Sequence, residues 1–235
     1  MLPRFIDRFE VVLLDMVHTF MFNADRFSAA DDFAATYWRI GGYTLRDNEV
    51  RQIISTVFAT MLTDSLNPLC YDQFPPVLSY LETLPLSRDL PKNEVELLER
   101  VFALHEIGVI PGTYTEILHR LRETHRLGVV SDIWSKSSLY LQEFERAGVR
   151  ELFDVIVFSS DHGRIKPSPY LFTKAIETVA GDRAKIVFVG DSLRRDIAGA
   201  KAAGLSTIWL NARDDTGEKD APIPDLVIQD LRELL

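Results

Sequence analysis

The sequence predicts an α/β fold in which a doubly wound parallel sheet carries a smaller all-helical domain. Two observations lead to this class. Short, uninterrupted apolar runs recur along the chain, with amphipathic segments of helical length between them, which indicates buried parallel strands joined by helices. The stretch from about residue 21 to residue 108 lacks such runs and is typical of helices instead.

Five apolar runs are predicted to form the strands of the sheet. Each is about four residues long, which is too short for a typical helix, and polar residues follow most of them. The runs are residues 11–14, 127–130, 155–158, 186–189 and 207–210. A sixth short strand is expected at about 226–228, before a last helix, and the polar stretch 211–220 is expected to be a solvated loop.

The helical stretch interrupts the alternation directly after the first strand. Its clearest predicted helix runs from 45 to 61 with one apolar stripe, and another runs from about 94 to 106 with Asn93 as its N-cap. We therefore predict a core domain formed by residues 1–20 and 109–235, with a helical domain, residues 21–108, inserted between its two parts.

Residues typical of helix ends punctuate the predicted core. Ser168 before Pro169 predicts an N-cap followed by a first turn, and Thr113 with Glu116 predicts a capping box. Three glycines are expected to terminate helices: Gly148, Gly181 and Gly204.

Composition limits the classes of partner. The formal net charge of −9 disfavours nucleic acids and acidic membrane surfaces, and no apolar run is long enough to cross a membrane. Asp7 and Glu10 stand where a secretion signal would need an apolar stretch, and Cys70 is the single cysteine. These features predict a cytoplasmic protein whose partner is a small molecule. They do not predict its oligomeric state.

Polar residues follow the predicted strands, at the edge of the sheet where open α/β folds bind ligands. Asp15 follows the first strand, with Thr19 four residues later. Ser131 and Asp132 follow the second. The later positions are Lys166 before Pro167, then Gly190-Asp191-Ser192 with Asp196 close behind.

In this order, these residues resemble the four motifs of the haloacid dehalogenase superfamily. The most specific part is VFVGDSLRRDIAGAKAAG, which contains the last motif, and the resemblance covers nearly the whole chain. It implies a Rossmann-like core and makes the helical insert similar to the cap domain of that superfamily. Within the last motif, Arg194 and Arg195 are expected to be solvated helix residues.

The resemblance implies a hydrolase that acts on a small phosphorylated metabolite. Asp15 would be the nucleophile that forms an aspartyl intermediate. The implied cofactor is Mg²⁺, bound by Asp15, the main-chain carbonyl of Val17, Asp191 and Asp196.

The remaining motif residues would position the substrate. Ser131 and Lys166 would hold the phosphoryl oxygens, and Asp132 is expected to contact the substrate as well. Thr19 would orient the nucleophile or bind a phosphate oxygen.

Val17 departs from the pattern of the phosphatases in the superfamily, which carry a second acid/base aspartate at this position. Four explanations are open: a good leaving group such as an acyl phosphate, a substitute acid in His18, different chemistry, or a binding protein without catalysis. Relatives that cleave carbon–phosphorus bonds use a cap lysine, whereas Lys92 is the only lysine between residues 21 and 110 and lies in a polar turn. Metal-free dehalogenation is the other alternative, although Asp191 and Asp196 argue for a metal.

Overall fold

The computed structural model describes residues 4–212 and 221–235, and most of the predicted loop at 211–220 lies outside them. Its centre is a sheet of six strands in the order β3-β2-β1-β4-β5-β6, in which every neighbouring pair is parallel. The strands are β1 Val11–Leu14, β2 Arg126–Ser131, β3 Phe153–Phe158, β4 Ile186–Gly190, β5 Ser206–Leu210 and β6 Leu226–Ile228. All six predicted strands are therefore confirmed, as is the fold class.

Helices cover both faces of this sheet. They are α5 Gly112–Arg122, α6 Ser137–Arg146, α7 Pro169–Val179 and α8 Ala198–Ala202. Apolar residues of α5 and α6 pack with one face of the strands, and those of α7 and α8 pack with the other. Every residue of β1 is buried because this strand has a strand on each side and helices above and below.

The helical insert between β1 and β2 has its own apolar cluster. Its helices are α1 Phe33–Arg39, α2 Asp47–Ser65, α3 Val77–Thr83 and α4 Lys92–Glu106. The predicted helices at 45–61 and 94–106 correspond to α2 and α4. Among the described residues, no helix is both long and apolar enough to cross a membrane.

The insert contacts the loops at the carboxyl ends of the core strands. Phe74 N donates to Gly163 O at 2.8 Å, and Val77 N donates to Trp134 O at 2.8 Å. The two chain connections between insert and core also pair with each other, through Phe22 and Val109. The insert therefore covers the carboxyl ends of the core strands. The domain boundaries given above remain a prediction.

Two predicted helix starts were wrong for one physical reason. The first turn of α5 begins at Gly112 after Pro111, so Thr113 lies inside the helix, and α4 begins at Lys92 after Pro91, so Asn93 does as well. Each helix begins two residues earlier than predicted, directly after a proline whose fixed φ precedes the first turn without a side-chain cap.

Three of the other helix-end predictions are confirmed. Ser168 accepts a hydrogen bond from Tyr170 N, which confirms the predicted N-cap. Gly148 and Gly204 have the left-handed backbone that ends a helix, with φ of 70° and 79°. After α7 it is Ala180, with φ 49°, and not Gly181 that takes this conformation. The last predicted helix is a short 3-10 helix, Leu231–Leu234.

Candidate active site

The nucleophile predicted from the sequence, Asp15, lies at the end of β1 and is 5% exposed. The adjoining strand holds its backbone, since Asp15 N donates to Val189 O at 2.8 Å. Its Oδ1 accepts hydrogen bonds from Ser131 Oγ at 2.9 Å and from Lys166 Nζ at 2.5 Å. Its Oδ2 accepts none from a described residue. The carboxylate is thus oriented through one oxygen while the other is available for chemistry.

Lys166 connects this carboxylate to a second one. Its Nζ lies 2.6 Å from Asp196 Oδ1, and the lysine is 3% exposed. Burial by itself would lower the pKa of Lys166, but the negative charges of Asp15, Asp196 and Asp132 outweigh it and hold this pKa above its ordinary value. The lysine is therefore a permanent cation at the strand ends.

Hydrogen bonds also fix the carboxylate of Asp196. Its Oδ2 accepts a hydrogen bond from Ser192 N at 2.9 Å, which folds the loop after β4 around the carboxylate. Gly190 makes room for this arrangement, because a Cβ there would lie 2.5 Å from Asp196 Cγ. Burial raises the pKa of Asp196, with Lys166 opposing and Asp15 adding to the rise. Two buried carboxylates thus share one ammonium group.

The arrangement suits a divalent cation. Asp15, Asp191 and Asp196 each offer an oxygen, and these three oxygens lie within 4.8 Å of one another. Three carboxylates beside one lysine leave an excess of negative charge that a cation would offset, and oxygen ligands favour Mg²⁺. The β1 and β4 loops that carry these residues diverge where the strand order reverses, which is where open α/β sheets bind ligands.

Three other predicted residues have different surroundings. Asp132 Oδ1 accepts a hydrogen bond from Lys166 N at 3.0 Å and so holds the lysine backbone, while its Oδ2 is buried without a partner among the described residues. Thr19 is fully buried, makes no hydrogen bond to Asp15, and its Oγ1 is likewise unpartnered. Val17 lines the cleft beside Asp15. The roles predicted for these residues stay predictions.

A cleft of about 430 Å³ opens above the carboxylates. It has an apolar wall, formed by Phe58 and Leu62 of α2 and by Trp134 from the loop after β2. Arg195 also lines the cleft, where its guanidinium donates a hydrogen bond to Ser65 Oγ of α2 at 3.4 Å; this corrects the expectation that it is a solvated helix residue.

Two acidic residues of the insert that carry no sequence motif line the same cleft. Asp25 is in the connection that leaves β1, and Glu106 ends α4. Glu106 accepts hydrogen bonds from Trp134 N at 2.5 Å and from both N and Oγ of Ser135. Burial raises the pKa of Glu106 to about 7 against these hydrogen bonds, and the charge of Asp25 adds to the rise. No local motif marks either residue, since only the packing of the insert brings them to the cleft.

Comparison with known proteins gives the family. The sequence profile of the haloacid dehalogenase-like hydrolases matches residues 77–210, which is more than half of the chain. The chain belongs to this family. The match begins after β1, so the assignment of Asp15 depends on the structure and on the resemblance of its own motif.

Individual relatives agree with this membership. The chain is 36% identical over 88 residues to the pyrimidine 5'-nucleotidase YjjG of Escherichia coli K12, which is 37% of this chain and 39% of that protein. The match thus spans about two fifths of that curated relative.

Among solved structures, a HAD phosphatase from Thermococcus onnurineus superposes with a TM-score of 0.63 at 26% identity, over 96% of this chain and 95% of that one. A 2-haloacid dehalogenase from Pseudomonas syringae pv. Tomato DC3000 superposes with a TM-score of 0.65 at 21% identity, over 96% of each chain, and shows the shared fold.

We predict that Gly190→Ala damages the carboxylate cluster specifically. The new methyl group would overlap Asp196, which Lys166 and Ser192 hold in place, so we expect a loss of about 1–3 kcal/mol of unfolding free energy and weaker Mg²⁺ binding. Urea unfolding and titration calorimetry measure the two effects.

Gly128→Ala is the matched control for this variant. A Cβ at Gly128 would meet Val155 at 2.5 Å and Leu13 at 2.7 Å inside the sheet, so it should cost similar stability and leave Mg²⁺ binding intact. Equal weakening of Mg²⁺ binding in both variants would contradict the assigned role of Gly190.

We also predict that Glu106 makes stability depend on pH. Its pKa is raised from 4.5 to about 7 by folding, so between these pH values the folded chain keeps a proton that the unfolded chain has lost. The free energy of unfolding should therefore fall as pH rises through this window, by up to about 3 kcal/mol in all. Glu106→Gln should lose this component, whereas Glu96→Gln, exposed on the same helix, should keep it. Denaturant unfolding at several pH values tests this, and identical slopes in the native chain and Glu106→Gln would refute it.

Proposed function

We propose that this protein is a Mg²⁺-dependent phosphatase that acts on a small phosphorylated metabolite through an aspartyl intermediate at Asp15. The observation that carries the proposal is the cluster of Asp15, Asp191 and Asp196 around Lys166 at the strand ends. Membership of the hydrolase family and the likeness to a HAD phosphatase support it.

The chemistry assigned to Asp15 follows from its hydrogen bonds. Ser131 and Lys166 hold Oδ1, so Oδ2 is the oxygen that would attack phosphorus. The leaving alcohol departs with a proton, and water then hydrolyses the aspartyl phosphate to release inorganic phosphate and regenerate Asp15. Ser131 and Lys166 are also placed to donate to phosphoryl oxygens, with the charge of Lys166 offsetting that of the phosphate.

The metal would be held by four groups: Asp15, Asp191, Asp196 and the main-chain carbonyl of Val17. When bound, Mg²⁺ offsets the repulsion between the nucleophile and an anionic phosphoryl group. Asp196 also anchors Lys166, so the same residue would serve both cations of the site.

The insert would serve as a cap over this site. We assign residues 21–108 to the cap and residues 1–20 with 109–235 to the core, because α2 and the end of α4 supply cleft residues from above. The apolar wall of Phe58, Leu62 and Trp134 favours a substrate with an apolar portion beyond its phosphate. The single cysteine and the net charge of −9 support a cytoplasmic setting and a small-molecule partner.

A metal-free dehalogenase is the second candidate, and Val17 is the observation that favours it. Such an enzyme would also use a carboxylate nucleophile but needs no acid at this position. The three clustered carboxylates favour the phosphatase, and chelation separates the two, because only dehalogenation would survive it.

We predict that the protein releases phosphate from phosphate esters or acyl phosphates in the presence of Mg²⁺. Asp15→Asn removes the nucleophile, so release should fall by about 10³-fold or more. Phosphate release from a panel of both substrate types, with Mg²⁺ and with a chelator, measures this. Asp89→Asn, an exposed acid of the insert, is the control and should behave as the native chain.

Release that is the same in Asp15→Asn and in the native chain would refute the assigned nucleophile. An absence of release from every substrate, together with halide release from a 2-haloacid that resists chelation, would establish the second candidate.

Binding of Mg²⁺ should also be visible without turnover. A ligand that binds only the folded chain raises the melting temperature, and we expect a rise of about 5–10 °C when Mg²⁺ exceeds its Kd by about 100-fold. Asp191→Asn removes one carboxylate ligand and should abolish most of this shift. Differential scanning calorimetry tests the assignment, and an unchanged shift in Asp191→Asn would contradict it.

A further inference from the structure

The cleft contains a carboxyl group that the proposed phosphatase chemistry has not used. Asp25 lines it together with Asp15 and Val17, although it lies ten residues after the nucleophile and in a different element. Asp25 is an exposed residue of the cleft lining. Val17 has no carboxyl group that could exchange a proton. Asp25 therefore supplies such a group to the same cleft.

The backbone of Asp25 is fixed in place. Its N donates to Glu106 O at 3.0 Å, and the next residue, Arg26, donates from N to His105 O at 2.9 Å. The Arg26 guanidinium also binds the carbonyl oxygens of Leu104 and Ile107. The connection from β1 is thus tied to the end of α4, so the position of Asp25 above the cleft is well defined.

Asp25 takes the left-handed backbone conformation, with φ 54°. Aspartate and asparagine accept this conformation more readily than most residues, because their short polar side chains bond locally. Asp25→Asn should therefore leave the fold of this connection unchanged, which makes it a clean test of the carboxyl group.

The other acidic group of the insert in the cleft is already engaged. Both oxygens of Glu106 accept hydrogen bonds from the loop at Trp134 and Ser135. The carboxyl group of Asp25 makes no hydrogen bond or ion pair of its own with any residue in the described ranges 4–212 and 221–235. Of the two, Asp25 is the one able to meet a substrate.

The charges around Asp25 suit a group that changes its protonation state. Desolvation in the cleft raises the pKa of Asp25 to about 6, although water still reaches its side chain. Arg195 and Arg26 oppose this rise and Asp15 adds to it. Glu106 is also close enough for the two carboxyl groups to interact electrostatically. An acid/base catalyst works best when its pKa is near the working pH.

We propose that Asp25 performs the acid/base role that Val17 cannot. As Asp15 attacks phosphorus and the bond to the ester oxygen breaks, the Asp25 carboxyl group donates its proton to that oxygen. In the second step the Asp25 carboxylate takes a proton from the water that attacks phosphorus, and the bond to Asp15 breaks. The cycle ends with inorganic phosphate and with both aspartates in their starting states. This inference rests on the proposed phosphatase function.

The test uses leaving groups of different quality. A general acid matters for phenyl phosphate, whose leaving group is poor, and much less for p-nitrophenyl phosphate. We expect Asp25→Asn to lower kcat/KM about 10²–10⁴-fold for phenyl phosphate and less than about 10-fold for p-nitrophenyl phosphate. The decline of kcat/KM for phenyl phosphate above about pH 6 should disappear in this variant, because that decline would report loss of the acid's proton.

Two further variants make the test specific. Val17→Asp combined with Asp25→Asn restores a carboxyl group beside Asp15 and should recover most of the activity on phenyl phosphate. Asp89→Asn, the exposed control, should leave both substrates unaffected. Equal loss on both substrates, or loss in His18→Asn but not in Asp25→Asn, would overturn the inference.

Failure of this inference is distinguishable from failure of the proposed function. Phosphate release that needs Asp15 but is unchanged in Asp25→Asn would overturn the role of Asp25 alone. An absence of Asp15-dependent release would overturn both.

Discussion

The buried ammonium group of Lys166 is the interaction on which the rest of the site depends. It is shared between Asp15 and Asp196, and a buried charge is tolerated only when it is paired and hydrogen-bonded. The three residues come from distant parts of the sequence, at the end of β1, before α7 and after β4. Their pairing therefore ties together the three loops that form the floor of the cleft.

The single positive charge of Lys166 does not neutralise the carboxylates at the floor of the cleft. Three carboxylates approach one another at the switch point of the sheet, and Asp132 adds a fourth close to Lys166. Burial raises the pKa of Asp196 even beside a lysine, and the negative charge of Asp15 adds to this rise. The excess negative charge would favour a small, hard cation, which the proposed phosphatase chemistry needs beside an anionic substrate.

The two ends of the insert shape the site in addition to the apolar wall from α2. Glu106 holds the loop that follows Ser131, and its own main-chain carbonyl holds Asp25. The last turn of α4 thus positions two sides of the cleft at once. A change in how the insert packs would therefore move both.

The sequence alone determined the sheet, because buried parallel strands must be apolar on both faces and each run is a local signal. It also placed Asp15, Ser131, Lys166 and the Gly-Asp-Ser loop at strand ends, where parallel topology makes them neighbours. Two helix starts after prolines were missed by two residues, since proline fixes the backbone without a capping side chain. Only the tertiary structure brought Asp25, Glu106 and Arg195 to the cleft, because long-range packing between the insert and the core, which no local periodicity encodes, decides where those side chains lie.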